Sequence, residues 1–491
     1  MATKAQLETR VRELEAALAE RDERIAKLEA RLAKLEELLN LTSANSSKPP
    51  SKNPPHVKVG SKSKPTGNPP GGQKGHDPHL FAAADPTDVT RTVACPPAVR
   101  CDYCHADLAD APVVLGELAK PFYQFDLPNL KLDVTAFERP RRQCDHCDHW
   151  TVAPLPAGVG PSPFGPGLVS FIAMLTVRYR LGRRPVSDLL EDLFGRRIST
   201  GAIQSALELT SDAIEEAVKA IKDAIERAPV ANADETGWRD QSGFAKGKRC
   251  WLWIARTATG TLFAIAPGRD AAGSLRVLGE KFAGFVTCDR WKPYESRFDT
   301  ARQLCWAHID REATAAVDRG RILAKRTDAK LVFRGEQLVA WGTAFGAEID
   351  LMFKAWHAFK DGTISRAGLR GAITAIRTVM IQLLAQGARM DDGQVAGTCR
   401  DLLRQFKCLW TFVTVEGVEP TNNAAERELR HAVILRGLML STKSEAGRHL
   451  LTRLMSVLAT CKKLGRDALA YLKLALECHA LGLPPPLLVP A

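Results

Sequence analysis

Three acidic side chains stand out by type and setting: Asp234, Asp289 and Glu426. Asp234 lies in "NADETGWRD", behind the apolar run Pro229, Val230, Ala231 and beside a second acid, Glu235. Asp289 closes the apolar stretch "GFVTCD", and Glu426 falls inside "EPTNNAAERELRHAVILRG". Alternation along "VANAD" predicts a strand with Asn232 and Asp234 on one face and Glu235 on the other. Both aspartates are expected at strand ends, along the edge where α/β sheets keep their sites. Hard carboxylates gathered in space are what Mg²⁺ requires. Two such ions, about 3.5–4 Å apart, could activate a nucleophile and stabilise the leaving oxygen of an in-line phosphodiester displacement. Each acid also has a plainer reading. Asp234 alone is a strand-end acid. With Asn423 as N-cap, Glu426 becomes the third helical residue of a capping box, or it pairs with Arg430 four residues on. The combination and its order carry the metal reading.

A second constellation is soft rather than hard. Cys101-Asp-Tyr-Cys104 and Cys144-Asp-His-Cys147 are two C-x-x-C knuckles. Together they can supply four thiolates to a tetrahedral structural zinc. Twelve cysteines in 491 residues fit a reducing compartment, where paired cysteines point to metal rather than disulfides. Four thiolates leave no open position, so the expected role is folding and DNA contact. His105, His146 and His149 are substitute ligands, and four free thiols is the plainer reading. The alternation of "PFYQFDLPNLKLDVTAFERPRRQ" predicts a β-hairpin between the knuckles.

These groups need elements to position them. The chain is too long for one core, and 68 Lys and Arg against 56 Asp and Glu give a net charge of +12, which favours a polyanionic partner. Residues 1–41 read as a coiled coil, with Val11, Leu18, Ile25, Leu32 and Leu39 at a and Leu7, Leu14, Leu28 and Leu35 at d, broken only by Arg21 at d. Arg10, Arg24 and Arg31 at g would face Glu15, Glu29 and Glu36 at e of a second chain, which favours a parallel homodimer. Residues 42–80 are a basic Pro/Gly/Lys-rich linker able to lie along phosphates. Residues 81–160 hold the cysteine knuckles. Residues 161–228 read as helices, either a DNA-binding helix-turn-helix arrangement or a bundle packed on the next domain, with Pro185 at a helix start and Ser199 or Thr200 as a cap. From residue 229 the order is strand, hairpin, helix, strand, helix, strand, helix. The N-terminus lacks a signal-peptide core, and the apolar run Leu168–Val177 is too short to span a bilayer, so a cytoplasmic protein is expected.

The chain resembles a transposase of the insertion sequence sixty-six family over nearly its whole length. The likeness rests on "NSSKPPSKN", "GGQKGH", the paired knuckles, "YQFDLP", "FGRRISTGAI", "ADETGW", "CDRWKPY", "CWAHIDR" and "NNAAERELR" in this order. The family pattern departs at Thr421, where many relatives carry Asp, and at Arg290 and Lys292, where smaller residues are usual. The resemblance implies a multidomain α+β chain: coiled coil, zinc-binding β-rich domain, helical domain, and a ribonuclease H-like catalytic domain. That last domain would comprise residues 229–311 and 421–445, with 312–420 a helical insertion and 446–491 a C-terminal helical segment. It implies a DDE triad on Asp234, Asp289 and Glu426, with two Mg²⁺ or Mn²⁺ ions. Hydrolysis would free a 3′-hydroxyl at each element end, and that hydroxyl would attack target DNA. His308 and Arg311 are expected at the scissile phosphate, and Arg427, Arg430 and Arg436 on the DNA backbone. Partners would be double-stranded DNA, a second copy of the chain, and accessory proteins of the same element. A non-catalytic zinc-containing DNA-binding regulator, and a ribonuclease H-like nuclease without strand transfer, are the alternatives.

Overall fold

The computed structural model describes residues 4–39, 42, 85, 87, 89–112, 123–160, 162–245, 249–439 and 441–490. The basic linker, with "NSSKPPSKN" and "GGQKGH", lies outside the described residues apart from Thr42. The chain divides into two compact units: residues 60–134, and residues 1–59 together with 135–491.

In the smaller unit, Cys101–Cys104 forms a tight turn. The Cys101 N–H donates to the Ala106 carbonyl (2.9 Å) and the His105 N–H to the Cys101 carbonyl (3.0 Å), with His105 left-handed at φ 61°. The larger unit repeats this geometry. There the Cys144 N–H donates to His149 (2.9 Å) and the Asp148 N–H to Cys144 (2.9 Å), with Asp148 at φ 55°. The second turn is held by the hairpin of β1 (Arg141–Gln143) and β2 (Trp150–Val152), paired Arg141 to Val152. Among the described residues the hairpin expected between the knuckles does not appear, since residues 123–140 have no strand. That stretch carries Pro128 and Pro140, and Pro cannot donate to a ladder.

The larger unit begins with α1 (Lys4–Leu39), one unbroken helix. Four helices follow the hairpin: α2 (Pro166–Ala173), running into a π-turn at Met174–Arg178, α3 (Arg183–Phe194), α4 (Thr200–Ala213) and α5 (Glu215–Glu226). Ser199 caps α4 by accepting the Ala202 N–H.

A five-stranded sheet comes next, with order β5-β4-β3-β6-β7. Its strands are β3 (Val230–Arg239), β4 (Arg249–Arg256), β5 (Thr261–Ala266), β6 (Phe285–Cys288) and β7 (Arg302–Leu304). Helices α6 (Ala271–Leu278) and α7 (Lys292–Phe298) make the crossovers. β3, β4 and β5 are antiparallel, whereas β6 runs parallel to both β3 and β7. The parallel β3–β6 pairing ends at Asn232 opposite Thr287. Asp289 therefore follows a strand end, as expected. Asp234 does not. It sits in the middle of a ten-residue strand, because "ETGWR" continues the ladder against "RCWLW" of β4.

After β7 the chain forms α8 (Trp306–Leu323), α9 (Ala329–Lys360), α10 (Arg366–Gly387), α11 (Gly393–Arg404), a 3₁₀ turn at Phe406–Leu409, and α12 (Thr411–Thr414). It then returns through α13 (Asn423–Met439), α14 (Glu445–Lys463) and α15 (Ala468–Ala480). Two cores result. The sheet, α2–α7 and α13–α15 share one, centred on Leu252, Trp253, Ile254, Val286 and Leu454. The helices before the sheet and after α13 thus pack on the sheet rather than forming separate cores. Helices α8–α12 gather in a second core around Trp306, Trp341, Phe345, Met380, Trp410 and Phe412. By length and composition α10 could cross a membrane. Here Leu369, Ile373, Ile376, Met380 and Leu384 are instead buried in this second core.

Helix α1 carries two different stripes. Ala33 is buried, Glu36 pairs with Arg326 and Glu29 accepts from Thr327, so this face docks beside α8. The heptad stripe faces away. Val11, Leu14, Leu18, Ile25, Leu28, Leu32 and Leu35 remain 45–57% exposed.

Candidate active site

The sheet edge beyond β6 gathers the acids. Asp234 presents its carboxylate from mid-β3, where Oδ1 accepts the Glu235 N–H at 2.9 Å. Asp289 lies one residue past β6 and is fixed by the Trp291 N–H, which donates to its Oδ1 at 2.9 Å. Glu426 projects from the first turn of α13. The capping box expected of Asn423 is absent: Asn423 is the first helical residue, and the Glu426 N–H donates to the Asn422 carbonyl at 3.1 Å. Glu426 turns to His308 Nδ1 and Arg311 Nη2, each 3.7 Å from its Oε1.

Asn422 ties these parts together, and sequence reasoning passed it over. It is buried (1% exposed). Its N–H donates to Cys305 Sγ (3.2 Å), at the end of β7, and its Nδ2 donates to the carbonyl of Ala233 (2.8 Å), the residue before Asp234. One side chain thus pins the Glu426 helix to the Asp234 strand. The available signal was an asparagine pair at a helix start, which reads more readily as a cap.

The electrostatics are those of crowded acids. Burial pushes the Asp234 carboxyl well above the usual range, and the charges of Glu235, Glu426 and Asp289 push it further. Asp289 is also raised by burial, against the Trp291 N–H, Arg269 and Arg290. Like charges held together raise one another's pKa and invite a cation. Burial, with Arg311 and Arg290 nearby, pushes His308 down to about 4, so its imidazole is neutral near pH 7. Among the described residues, neither buried Glu426 Oε1 nor buried His308 Nδ1 has a hydrogen bond. Cys305, His308 and Glu426 are the one cluster among the described residues whose three donor atoms lie within 4.8 Å of one another. By donor type the carboxylates of Asp234, Asp289 and Glu426 suit a divalent cation such as Mg²⁺, but among the described residues their oxygens do not form such a cluster.

Glu235 belongs to the other face of β3. Its Oε2 accepts from Tyr294 (2.9 Å) and its Oε1 from Arg269 (2.7 Å). Arg290 does not crowd Asp289. It reaches Glu312 (3.0 Å) on α8 and Asp401 (3.3 Å) on α11, bracing the Asp289 turn against the insertion. Arg427 and Arg430 are exposed on α13. Arg436 instead donates to Thr236 Oγ1 (3.2 Å) and to the Gly237 carbonyl, clamping α13 to β3.

The cysteines fall into two chemical classes. Backbone N–H groups of Cys104 and Tyr103, and the Cys104 thiol, draw Cys101 below the usual thiol value. The His146 N–H, the Cys147 thiol and the Cys147 N–H do the same for Cys144. Burial pushes Cys250, Cys399 and Cys461 up to about 11–12. Thiolate is the metal-binding form, so the knuckles have the donor chemistry that zinc asks for.

A family model, transposase IS66 family, matches residues 161–450, which include the sheet, the insertion and all three acids. A second, a family of unknown function (DUF6444), matches residues 2–80. None of the curated proteins matches. The matched span is more than half of the chain and covers the whole acidic edge, and the protein belongs to the transposase IS66 family.

Proposed function

We propose that the chain cuts DNA at the ends of its element and joins them to target DNA, with Asp234, Asp289 and Glu426 as a DDE triad. The observation that carries this is the family match over residues 161–450, which contain all three acids; the charges of Glu426 and Asp289, which help raise the Asp234 carboxyl, agree with it. These three would hold Mg²⁺ or Mn²⁺, which lowers the pKa of water and stabilises charge on the leaving oxygen. The chain's own residues do the rest. Asn422 and Arg436 fix the Glu426 helix on β3. Neutral His308 and cationic Arg311, beside Glu426, contact the scissile phosphate, and Arg311 offsets charge on a non-bridging oxygen. Arg427 and Arg430 grip the DNA backbone from the exposed side of α13.

The domains around the site serve assembly. The half-exposed leucine stripe of α1 pairs with the same stripe of a second copy, and a monomer at all concentrations in sedimentation would contradict this. Each cysteine knuckle offers a thiolate pair to structural zinc, and protein purified without bound zinc would contradict that. Accessory proteins of the same element and the basic linker complete the DNA-bound assembly.

The test is cleavage of an element-end duplex with Mg²⁺. Wild type should release 3′-hydroxyl ends and yield joined target products, and Asp234→Asn should do neither. Equal cleavage by both overturns the triad. Cleavage without joining indicates a nuclease, and binding without cleavage a regulator.

A further inference from the structure

The second acid of "ADETGW" is part of a device that the triad does not use. Glu235 is buried to 1% exposure of its side chain, and Tyr294 holds one of its oxygens at 2.9 Å. The other oxygen receives both Nε and Nη2 of Arg269 at 2.7 Å, and Nη2 also reaches Asp289 Oδ2 at 3.5 Å. The guanidinium is further pinned between two indoles, 5.1 Å from the Trp251 centroid and 4.8 Å from that of Trp291. Trp251 carries a second guanidinium, that of the exposed Arg249, at 5.3 Å. Arginine and tryptophan thus alternate from β4 toward Asp289.

We propose that Arg269 contacts a DNA phosphate next to the reacting one, with Glu235 as its positioning residue and Arg249 as the next contact along the same strand. This rests on the triad reading, since it places the DNA over Asp289. An arginine needed only to neutralise Glu235 would be packed shut. Arg269 is 36% exposed, against 24% for Asp289, and its Nη1 makes no hydrogen bond among the described residues. A guanidinium held by one edge leaves another edge for a phosphate, in the fork geometry that suits it. A polyanion approaching a cluster of carboxylates needs a fixed cation there, and two indole faces hold that cation in place at little entropic cost.

The experiment is anisotropy titration of a fluorescein-labelled element-end duplex, with full-length protein in EDTA and across a salt series. Arg269→Ala should weaken binding about tenfold and lower the log–log salt slope by about one. Arg269→Lys keeps the charge but not the fork, and should resemble Arg269→Ala in its KM for DNA cleavage. Arg249→Ala should give a smaller loss with the same sign. Wild-type affinity and slope in Arg269→Ala overturn the proposal. Should that variant fail to fold, an unchanged slope in Arg249→Ala and an unchanged KM in Arg269→Lys do so. Asp289→Asn separates the two readings. If it abolishes cleavage while Arg269→Ala binds DNA normally, the arginine contact fails and the triad stands. If Asp289→Asn cleaves normally, the triad itself fails.

Discussion

The two faces of β3 meet opposite demands one residue apart. On one face, Asp234 looks toward α13, with Glu426 on its first turn, and its carboxyl is raised by burial and by the acids around it. On the other, Glu235 is raised by burial and by Asp289 but is answered by Arg269 and Tyr294. Both are acids in a buried setting, yet one is held by neutralising partners and the other by like charges. The difference shows what separates a structural acid from a site. A structural carboxylate brings its own cation, whereas a site leaves the charge for a ligand. The two-residue period of a strand makes this separation possible within one dipeptide.

The largest effect that should expose the difference is loss of chemistry on the Asp234 face. Metal-ion stabilisation is worth several kcal/mol. Asp234→Asn should therefore lower strand cleavage by about 10³-fold at 1.36 kcal/mol per decade, with little change in DNA binding. A loss under tenfold would break the contrast. Next comes the tie that sets the spacing. Asn422→Ala removes the amide on Ala233, and loss of a group that orients ligands costs about 10–100-fold in activity. Asn422→Asp, unable to donate to that carbonyl, should not rescue it; rescue would show that the bond does not position Glu426.

A smaller effect is on stability. His308 is held at about 4, below its ordinary value of 6.5. Between these values the unfolded chain binds a proton that the native chain refuses, so stability is present above pH 6.5 and is lost as pH falls toward 4. Urea midpoints of wild type should fall across that window by more than those of His308→Gln. Parallel curves would remove His308 from the buried side of the site.

Much of this was legible before the fold was known, because strand and helix periods are local. The alternation of "VANADE" separated the two acids, the order of elements from β3 to α8 followed from apolar runs and turns, and "CWAHIDR" read as strand into helix. What was not legible depended on pairing partners. Asp234 looked like a strand end because only tertiary pairing with β4 carries β3 on to Arg239. Asn423 looked like a cap because nothing local shows that Asn422 is buried against β3. Arg436 had the spacing of a DNA contact, but packing turned it to Thr236. Arg269 carried no motif at all; its meaning comes from Glu235, Trp251 and Trp291, which lie far from it in sequence.

Mn²⁺ binding to the full-length protein, followed by the electron paramagnetic resonance signal of the free ion, tests the central claim most directly. Asp234→Asn, Asp289→Asn and Glu426→Gln should each weaken binding strongly, while Glu235→Gln should bind as wild type does. Wild-type binding by Asp234→Asn, or equal loss in Glu235→Gln, would contradict the account.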